Sequence, residues 1–392
     1  MTEPPGGEHT GKARARKRKG RRADAAAIGW CLATIDGALR AMAPNAIRVF
    51  YVKRFFHPVF AEILARRPNI VLDKLENFTP DADAAPVLAE AHVFSISSAR
   101  DELDPKYHAN PKLFAKTPEL LVVSTTGAGY DTVDVPSCTA AGILAVNQSG
   151  GNREAVGEHV MAMMIGLSKR IGETDRVMRR QPNMDRNAYM GDDVYGKTIG
   201  IVGIGQVGSR VAELARGLFA MRVLAYDPYL DAGAIAARGA EKVALDDLLA
   251  HADFVSVNCP LTAETRGMFG ARQYAQMQPH AFFITTARGS IHDEAALAEA
   301  LAAKRIAGAG LDVWEKEPPP IDHPLLKFDN VIVSPHSAGA TRQARANLAT
   351  ISAEQIIDII DGKRPPRILN PEVWSEFQRR FERIFGFRPA DA

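Results

Sequence analysis

The chain has 392 residues, 46% of them apolar and 24% charged, which suits a globular protein of roughly two or three domains. Its net charge of +2 conceals an asymmetry: residues 1–22 carry +6, which leaves −4 for the rest and gives no reason to expect nucleic acid on the folded part. No apolar run approaches the thickness of a bilayer, and three cysteines (Cys31, Cys138, Cys259) without C-x-x-C spacing argue against a disulfide framework or structural zinc and fit a reducing cytoplasm.

Residues 1–45 read as a basic, disordered extension. A basic stretch, an apolar-leaning segment at 25–35 and Ala41-Met42-Ala43 outline a signal peptide. Asp24 and Asp36 flank that segment, and it lacks a Leu-rich core. An extension, or an effective start at Met42, is the reading adopted; targeting and nucleic-acid contact are its rivals.

Strands are predicted at 47–52, 70–72, 91–95, 120–124 and 143–146, with a helix at 59–65. Strands alternating with helical segments indicate a parallel sheet. Gly150-Gly151-Asn152 breaks the pattern. Residues 155–171 read as one long helix with Val156, Val160, Met163, Met164 and Leu167 on one face, the methionines filling core. A polar connection, 179–197, leads to the most informative stretch.

That stretch, 197–208, is KTIGIVGIGQVG. Ile199, Ile201 and Val202 form a short buried strand, and Gly203-Ile204-Gly205-Gln206-Val207-Gly208 is a G-x-G-x-x-G turn. Val207, Val211, Leu214, Ala215 and Leu218 then recur at helical spacing. A second strand, 222–226, ends at Asp227. Gly203 permits the tight turn, Gly205 lets a pyrophosphate approach the backbone, and Gly208 lets helix and strand pack closely. The helix N-terminus supplies free N–H groups and a positive dipole end for an anion. Asp227 stands where an acid can accept from adenosine ribose hydroxyls, and Pro228-Tyr229 brings no Arg for a 2′-phosphate. NAD is therefore favoured over NADP.

The alternation resumes with strands at 254–257, 281–285, 307–312 and 331–333 and helices at 245–250 and 294–303. A last helix at 341–360 precedes a short basic C-terminal segment. Three strand ends carry reactive side chains: Thr286-Ala287-Arg288-Gly289, then 312–318 with Asp312 and Glu317, then Ser334-Pro335-His336. Ligands in open α/β sheets bind at such carboxyl ends.

These ordered motifs, with the 127–131 loop, 152–159 and Asn258-Cys259-Pro260-Leu261-Thr262, resemble the D-isomer-specific 2-hydroxyacid dehydrogenase family over about 47–370. The resemblance implies two doubly wound α/β parallel-sheet domains, a Rossmann NAD-binding domain (151–340) inserted in a flavodoxin-like substrate domain (46–150, with a return at 341–392). It implies catalysis by Arg288, Glu317 and His336. A guanidinium binds the substrate carboxylate and polarises its carbonyl. His336 exchanges a proton with the carbonyl oxygen, and Glu317 orients and charges the ring. It also implies NAD contacts from Gln206, Val207, Cys259, Thr286, Ala287 and Asp312, and substrate contacts from Ser97, Ser98, Ala128, Gly129 and Arg288.

His159 is read as lying behind the site or at an interface, His292 as incidental, Arg100 as facing water, and Cys259 as a backbone contact rather than a reactive thiol. No metal is expected. The partners implied are a small 2-oxo or 2-hydroxy acid, phosphoglycerate- or hydroxypyruvate-like, and a second copy in a homodimer with 179–197 near the interface. Glu317 argues against formate oxidation, for which the family uses Gln. The short remainder after His336 leaves no room for a regulatory domain. One residue more than is usual separates Gly208 from Asp227, to be absorbed in the following loop. Phosphite oxidation and an NAD-sensing, corepressor-like scaffold are the alternatives.

Overall fold

The computed structural model describes residues 46–55 and 57–391. The expectations for residues 1–45 lie outside the described residues.

In the first half, apolar and β-branched runs form β1 (Ile47–Val52), β2 (Ile70–Leu75), β3 (Val93–Ile96), β4 (Val122–Thr125) and β5 (Leu144–Val146). They pair in the order β2-β1-β3-β4-β5, every pairing parallel. β3, β4 and β5 are buried along their whole length, as a sheet covered on both faces requires. Phe50 and Phe94 stack 4.0 Å apart in the core on one face. Val49, Phe60, Leu121 and Val122 belong to the core on the other.

The second sheet contains β6 (Thr198–Val202), β7 (Arg222–Tyr226), β8 (Glu241–Lys242), β9 (Phe254–Val257), β10 (Phe282–Thr285), β11 (Gly308–Leu311) and β12 (Val331–Val333). The order is β12-β11-β10-β9-β6-β7-β8, again all parallel. The chain reverses direction of growth between β6 and β9, the switch point where an open α/β sheet offers a binding crevice. Two parallel-sheet α/β layers are thus present, as the sequence pattern indicates.

Two stretches cross between the sheets. The first is Gly150–Asn152, leading into α1 (Arg153–Ser168). The second precedes α4 (Arg342–Ile360), which returns to the first sheet, where Ala349, Ala353, Ile356 and Ile359 join the core containing Val49. The two run close together: a Cβ on Gly151 would lie 2.7 Å from Leu348, and one on Gly339 2.7 Å from Asn152. α1 lies against the second sheet, and a Cβ on Gly310 would come 3.0 Å from the Met163 sulfur. Met163, Met164 and Leu167 are buried there, the core-filling role expected of them.

The structure corrects two elements. The helix expected over 155–171 ends at Ser168. Arg170 turns into the left-handed region at φ 54°, and α2 (Ile171–Met178) starts a new direction. The Ser168 hydroxyl donates to the Asp192 carbonyl 2.9 Å away, so the helix end is tied to the chain returning towards β6. The C-terminus is not a short basic segment but α5 (Trp374–Phe385). Trp374, Phe377 and Phe381 recur at helical spacing and are buried, while Arg379 and Arg383 lie on the outer side. The charges between the aromatic residues masked this stripe. Within α3 (Gln206–Phe219), Val211 and Ala215 are buried as expected, but Leu218 is exposed.

Candidate active site

The Gly-rich turn follows β6. Gly203 has φ 85°, and a Cβ on it would lie 2.8 Å from the Cys259 backbone. A Cβ on Gly208 would lie 2.3 Å from the Gly203 carbonyl, so this glycine allows α3 to sit against the strand. Gly205 is different: nothing lies within 4 Å of a Cβ built there. Gly205 and Gln206 are exposed, Val207 is half-buried, and α3 begins with neither a side-chain cap nor an acidic residue in its first turn. An open, uncapped helix N-terminus beside a bare backbone is what a pyrophosphate needs.

Asp227 ends β7. Its carboxylate accepts from Ile204 N–H at 3.2 Å and Tyr229 N–H at 3.1 Å, which fixes it beside the turn. The Tyr229 hydroxyl donates to Glu264, which puts a second carboxylate on this side. Cys259 follows β9, where burial pushes its thiol up to about 11.

β10, β11 and β12 deliver the remaining groups. Thr286 and Ala287 lead from β10 to Arg288, with Ala287 buried. Arg288 Nη1 donates to the Ala287 carbonyl at 2.6 Å, and Nε donates to the Asp131 carboxylate at 2.8 Å. Asp131 belongs to the loop after β4 in the other sheet, so this bond brings the carboxyl ends of both sheets together. Gly129 lies in the same loop, and a Cβ there would sit 1.9 Å from Arg288 Nη2. Ala128 accepts from Asn147 Nδ2 at 2.8 Å through its carbonyl. From the loop after β3, Ser98 Oγ would meet a Cβ on Gly127 at 2.7 Å, and Ser97 Oγ donates to Glu102 at 2.9 Å. Arg100 does not merely face water: its Nε donates to the Asp131 carbonyl at 2.8 Å.

His336 stands after β12 with φ 52°, an uncommon conformation for a non-glycine residue. Its Nδ1 bonds Glu317 Oε2 at 2.7 Å, and Nε2 has no partner among the described residues. Glu317 Oε1 accepts from Trp314 N–H at 3.1 Å. The hydrogen bond to Glu317 holds the imidazole above its ordinary value and outweighs the burial that pulls it down. Burial pushes the Glu317 carboxyl up, but the bond and charge of His336, the Trp314 N–H and the Arg288 charge together bring it below the ordinary range. The Arg288 charge acts on both groups, so the three lie in one electrostatic neighbourhood.

Asp312 is fully buried. Its carboxylate accepts from Ser334 Oγ at 2.6 Å, Ser337 N–H at 2.8 Å and Ala338 N–H at 3.0 Å. All three donors belong to the loop that carries His336. His159, on α1, lies behind this loop with Nε2 2.9 Å from Ser334 Oγ. His292 is buried among apolar side chains, its ring 5.6 Å from that of Phe283 and both nitrogens without a partner among the described residues. The sequence reading missed Asp131 and Ser334. The first lies in a recognised loop and the second beside the His336 motif, but nothing local announces their partners. Among the described residues, no group of three or more His, Cys, Asp or Glu is placed to hold a metal.

Residues 161–338 match the family model described as "D-isomer specific 2-hydroxyacid dehydrogenase, NAD binding domain". The chain is 40% identical to a glyoxylate reductase of Korarchaeum cryptofilum over 269 residues, 67% of this chain and 80% of that one. It is 41% identical to a D-3-phosphoglycerate dehydrogenase of Archaeoglobus fulgidus over 243 residues, covering 62% of this chain but 46% of the relative. The chain thus spans about half the length of the phosphoglycerate dehydrogenases it matches. Among solved structures, a D-lactate dehydrogenase of Aquifex aeolicus complexed with NAD and lactic acid superposes with a TM-score of 0.68 at 25% identity, covering 80% of this chain and 96% of that one.

Proposed function

This chain belongs to the D-isomer-specific 2-hydroxyacid dehydrogenase family, and from that premise we propose that it is an NAD-dependent oxidoreductase interconverting a D-2-hydroxy acid and its 2-oxo acid. One observation carries the reading: the Glu317–His336 pair at 2.7 Å, within the field of Arg288, at the carboxyl ends of the cofactor-domain strands. Glyoxylate-, hydroxypyruvate- and phosphoglycerate-like acids are the leading substrates.

The open Gly205 backbone and the uncapped α3 support a cofactor pyrophosphate at this turn. Gly203, Gly205, Gln206, Val207 and Gly208 would hold the pyrophosphate, and Asp227 the adenosine ribose. Cys259, Thr286 and Ala287 would flank the nicotinamide half, with Asp312 buried behind them, its carboxylate taken up by residues 334–338. Two carboxylates, Asp227 and Glu264, disfavour a 2′-phosphate, so NAD is preferred to NADP. When bound, the nicotinamide supplies or accepts the hydride.

The chain's own groups do the rest. With Nε held by Asp131 and one Nη1 hydrogen by the Ala287 carbonyl, Arg288 has Nη2 and the second Nη1 hydrogen left for the substrate carboxylate and carbonyl. Ser97, Ser98, Ala128 and Gly129 line the substrate side. Glu317 takes the Nδ1 side of the His336 ring, so Nε2 delivers the proton to the carbonyl oxygen in reduction and removes it in oxidation. The raised imidazole pKa keeps the acid form available near neutral pH.

A cytoplasmic homodimer is part of the proposal. Cys138 and Cys259 are free thiols, and Ile171, Met178 and Met190 leave apolar surface on α2 and the chain after it. Light scattering should give twice the chain mass; a monomer would refute the dimer.

The test of function is NADH oxidation with a panel of 2-oxo acids. Turnover should require His336, and His336→Ala should abolish it while NADH still binds. Tight NADH binding with no turnover on any acid would favour a sensing role instead.

A further inference from the structure

His336 is held in a conformation that L-residues adopt at a cost, so something must over-determine it. Its own N–H donates to the Asp312 carbonyl at 2.6 Å. The Asp312 carboxylate takes three further donors from residues 334–338. The loop is therefore wound around one buried carboxylate.

The bonding fixes the direction of the chain of donors. Both Asp312 oxygens already accept from backbone N–H groups, so Ser334 must be the donor in its 2.6 Å bond to Asp312. A hydroxyl has one hydrogen. Ser334 Oγ therefore faces His159 with lone pairs, and His159 Nε2 must donate to it at 2.9 Å. The order is His159 Nε2–H to Ser334 Oγ–H to Asp312. His159 Nε2 also lies 3.8 Å from Asp312 Oδ1, so the imidazole stands directly behind the buried carboxylate. Trp314 Nε1 holds the Ser334 carbonyl at 3.1 Å, while the Trp314 N–H holds Glu317. One loop thus binds the histidine, its acid partner and α1 together.

We propose that His159 and Ser334 are positioning residues for the proposed reaction: through Asp312 they hold the His336 loop so that the imidazole stays aligned with Glu317 and the substrate. Neither needs to touch substrate. The inference rests on the dehydrogenase reading given above, and it deepens that reading by linking α1, the first helix after the crossing between sheets, to the proton-transfer group.

The experiment compares wild type with Ser334→Ala, His159→Phe and His159→Gln, whose side-chain amide can still donate to Ser334. Steady-state kinetics are measured with the best 2-oxo acid, alongside Kd for NADH and Tm. We expect kcat to fall about 10-fold or more in Ser334→Ala and His159→Phe, with KM, NADH affinity and Tm near wild type. His159→Gln should recover to within about threefold. A second readout does not depend on turnover: the downfield proton resonance of the His336–Glu317 bond should persist in wild type and His159→Gln and be lost in the other two. Wild-type kcat and an intact resonance in Ser334→Ala and His159→Phe would overturn the proposal, as would loss of activity only in step with Tm. Absence of turnover in wild type would refute the dehydrogenase reading, and the resonance would still decide the positioning role.

Discussion

Arg288 and Asp131 are separated by 157 positions in the chain, yet Nε of one donates to the carboxylate of the other at 2.8 Å. The pair spans the two sheets. It also orients the guanidinium, because an Arg with Nε occupied presents its remaining edge in one direction. Gly129 belongs to the same arrangement, since a Cβ there would overlap Nη2.

Gly129→Ala should therefore displace Arg288 and lower kcat/KM for a 2-oxo acid by about 100-fold, and Asp131→Ala by about 10-fold, chiefly through KM. NADH affinity should change little in either. Equal losses in NADH binding would point to a collapsed cleft rather than a misaligned guanidinium.

The pH profile depends on the Glu317–His336 pair. A raised imidazole pKa contributes stability below the ordinary histidine value that is lost as pH rises through the raised one. The lowered carboxyl pKa contributes stability above its ordinary value that is lost as pH falls through the lowered one. The pair is thus most stabilising between the two. Reduction needs protonated His336, so its rate should fall on the alkaline side. Glu317→Gln should move that limb to lower pH and slow reduction near neutrality by about 10- to 100-fold. An unmoved limb in a kcat/KM–pH profile would separate Glu317 from the proton transfer.

Two glycines of the same turn should respond in opposite ways. Gly205→Ala meets open space, so Tm should change little while NADH binding weakens by about 10-fold or more. Gly208→Ala would press its Cβ on the Gly203 carbonyl and should cost about 2 kcal/mol of stability. Thermal melts with and without NADH distinguish the two.

His292 tests a buried base that the proposed chemistry does not use. Burial pulls its imidazole down to about 4, against the opposing pull of Glu294 and Asp293. The unfolded chain binds the proton first, so stability is lost as pH falls from the ordinary histidine value towards 4. His292→Leu removes this loss. Its stability relative to wild type should rise on acidification by about 3 kcal/mol at most, read from urea titrations across that range. A constant difference between the two proteins would show that His292 stays neutral in both states or finds a partner on protonation.

Much of this was legible in the sequence because it is local. β6, the glycine turn, α3, β7 and Asp227 lie within a short run, and apolar period and turn chemistry report them directly. Arg288, Glu317 and His336 each stand at a strand end whose flanking pattern is visible. The break at Arg170 was not, because a continuing apolar face hides one left-handed residue. α5 was obscured because its Arg and Glu residues dominate a composition count, whereas its aromatic stripe appears only at helical period.

The sequence by itself determined that two α/β units are present and which turn can receive a dinucleotide, because apolar period and turn chemistry act over a few residues. The choice of Arg288, Glu317 and His336 among the strand-end side chains is what the family resemblance implied. Only the tertiary structure decided that Asp131 grips Arg288, that Asp312 anchors the His336 loop, and that His159 reaches it through Ser334. Those contacts join strand ends far apart in sequence. Their partners are set by sheet order and by where each loop leaves its strand, which no local pattern encodes.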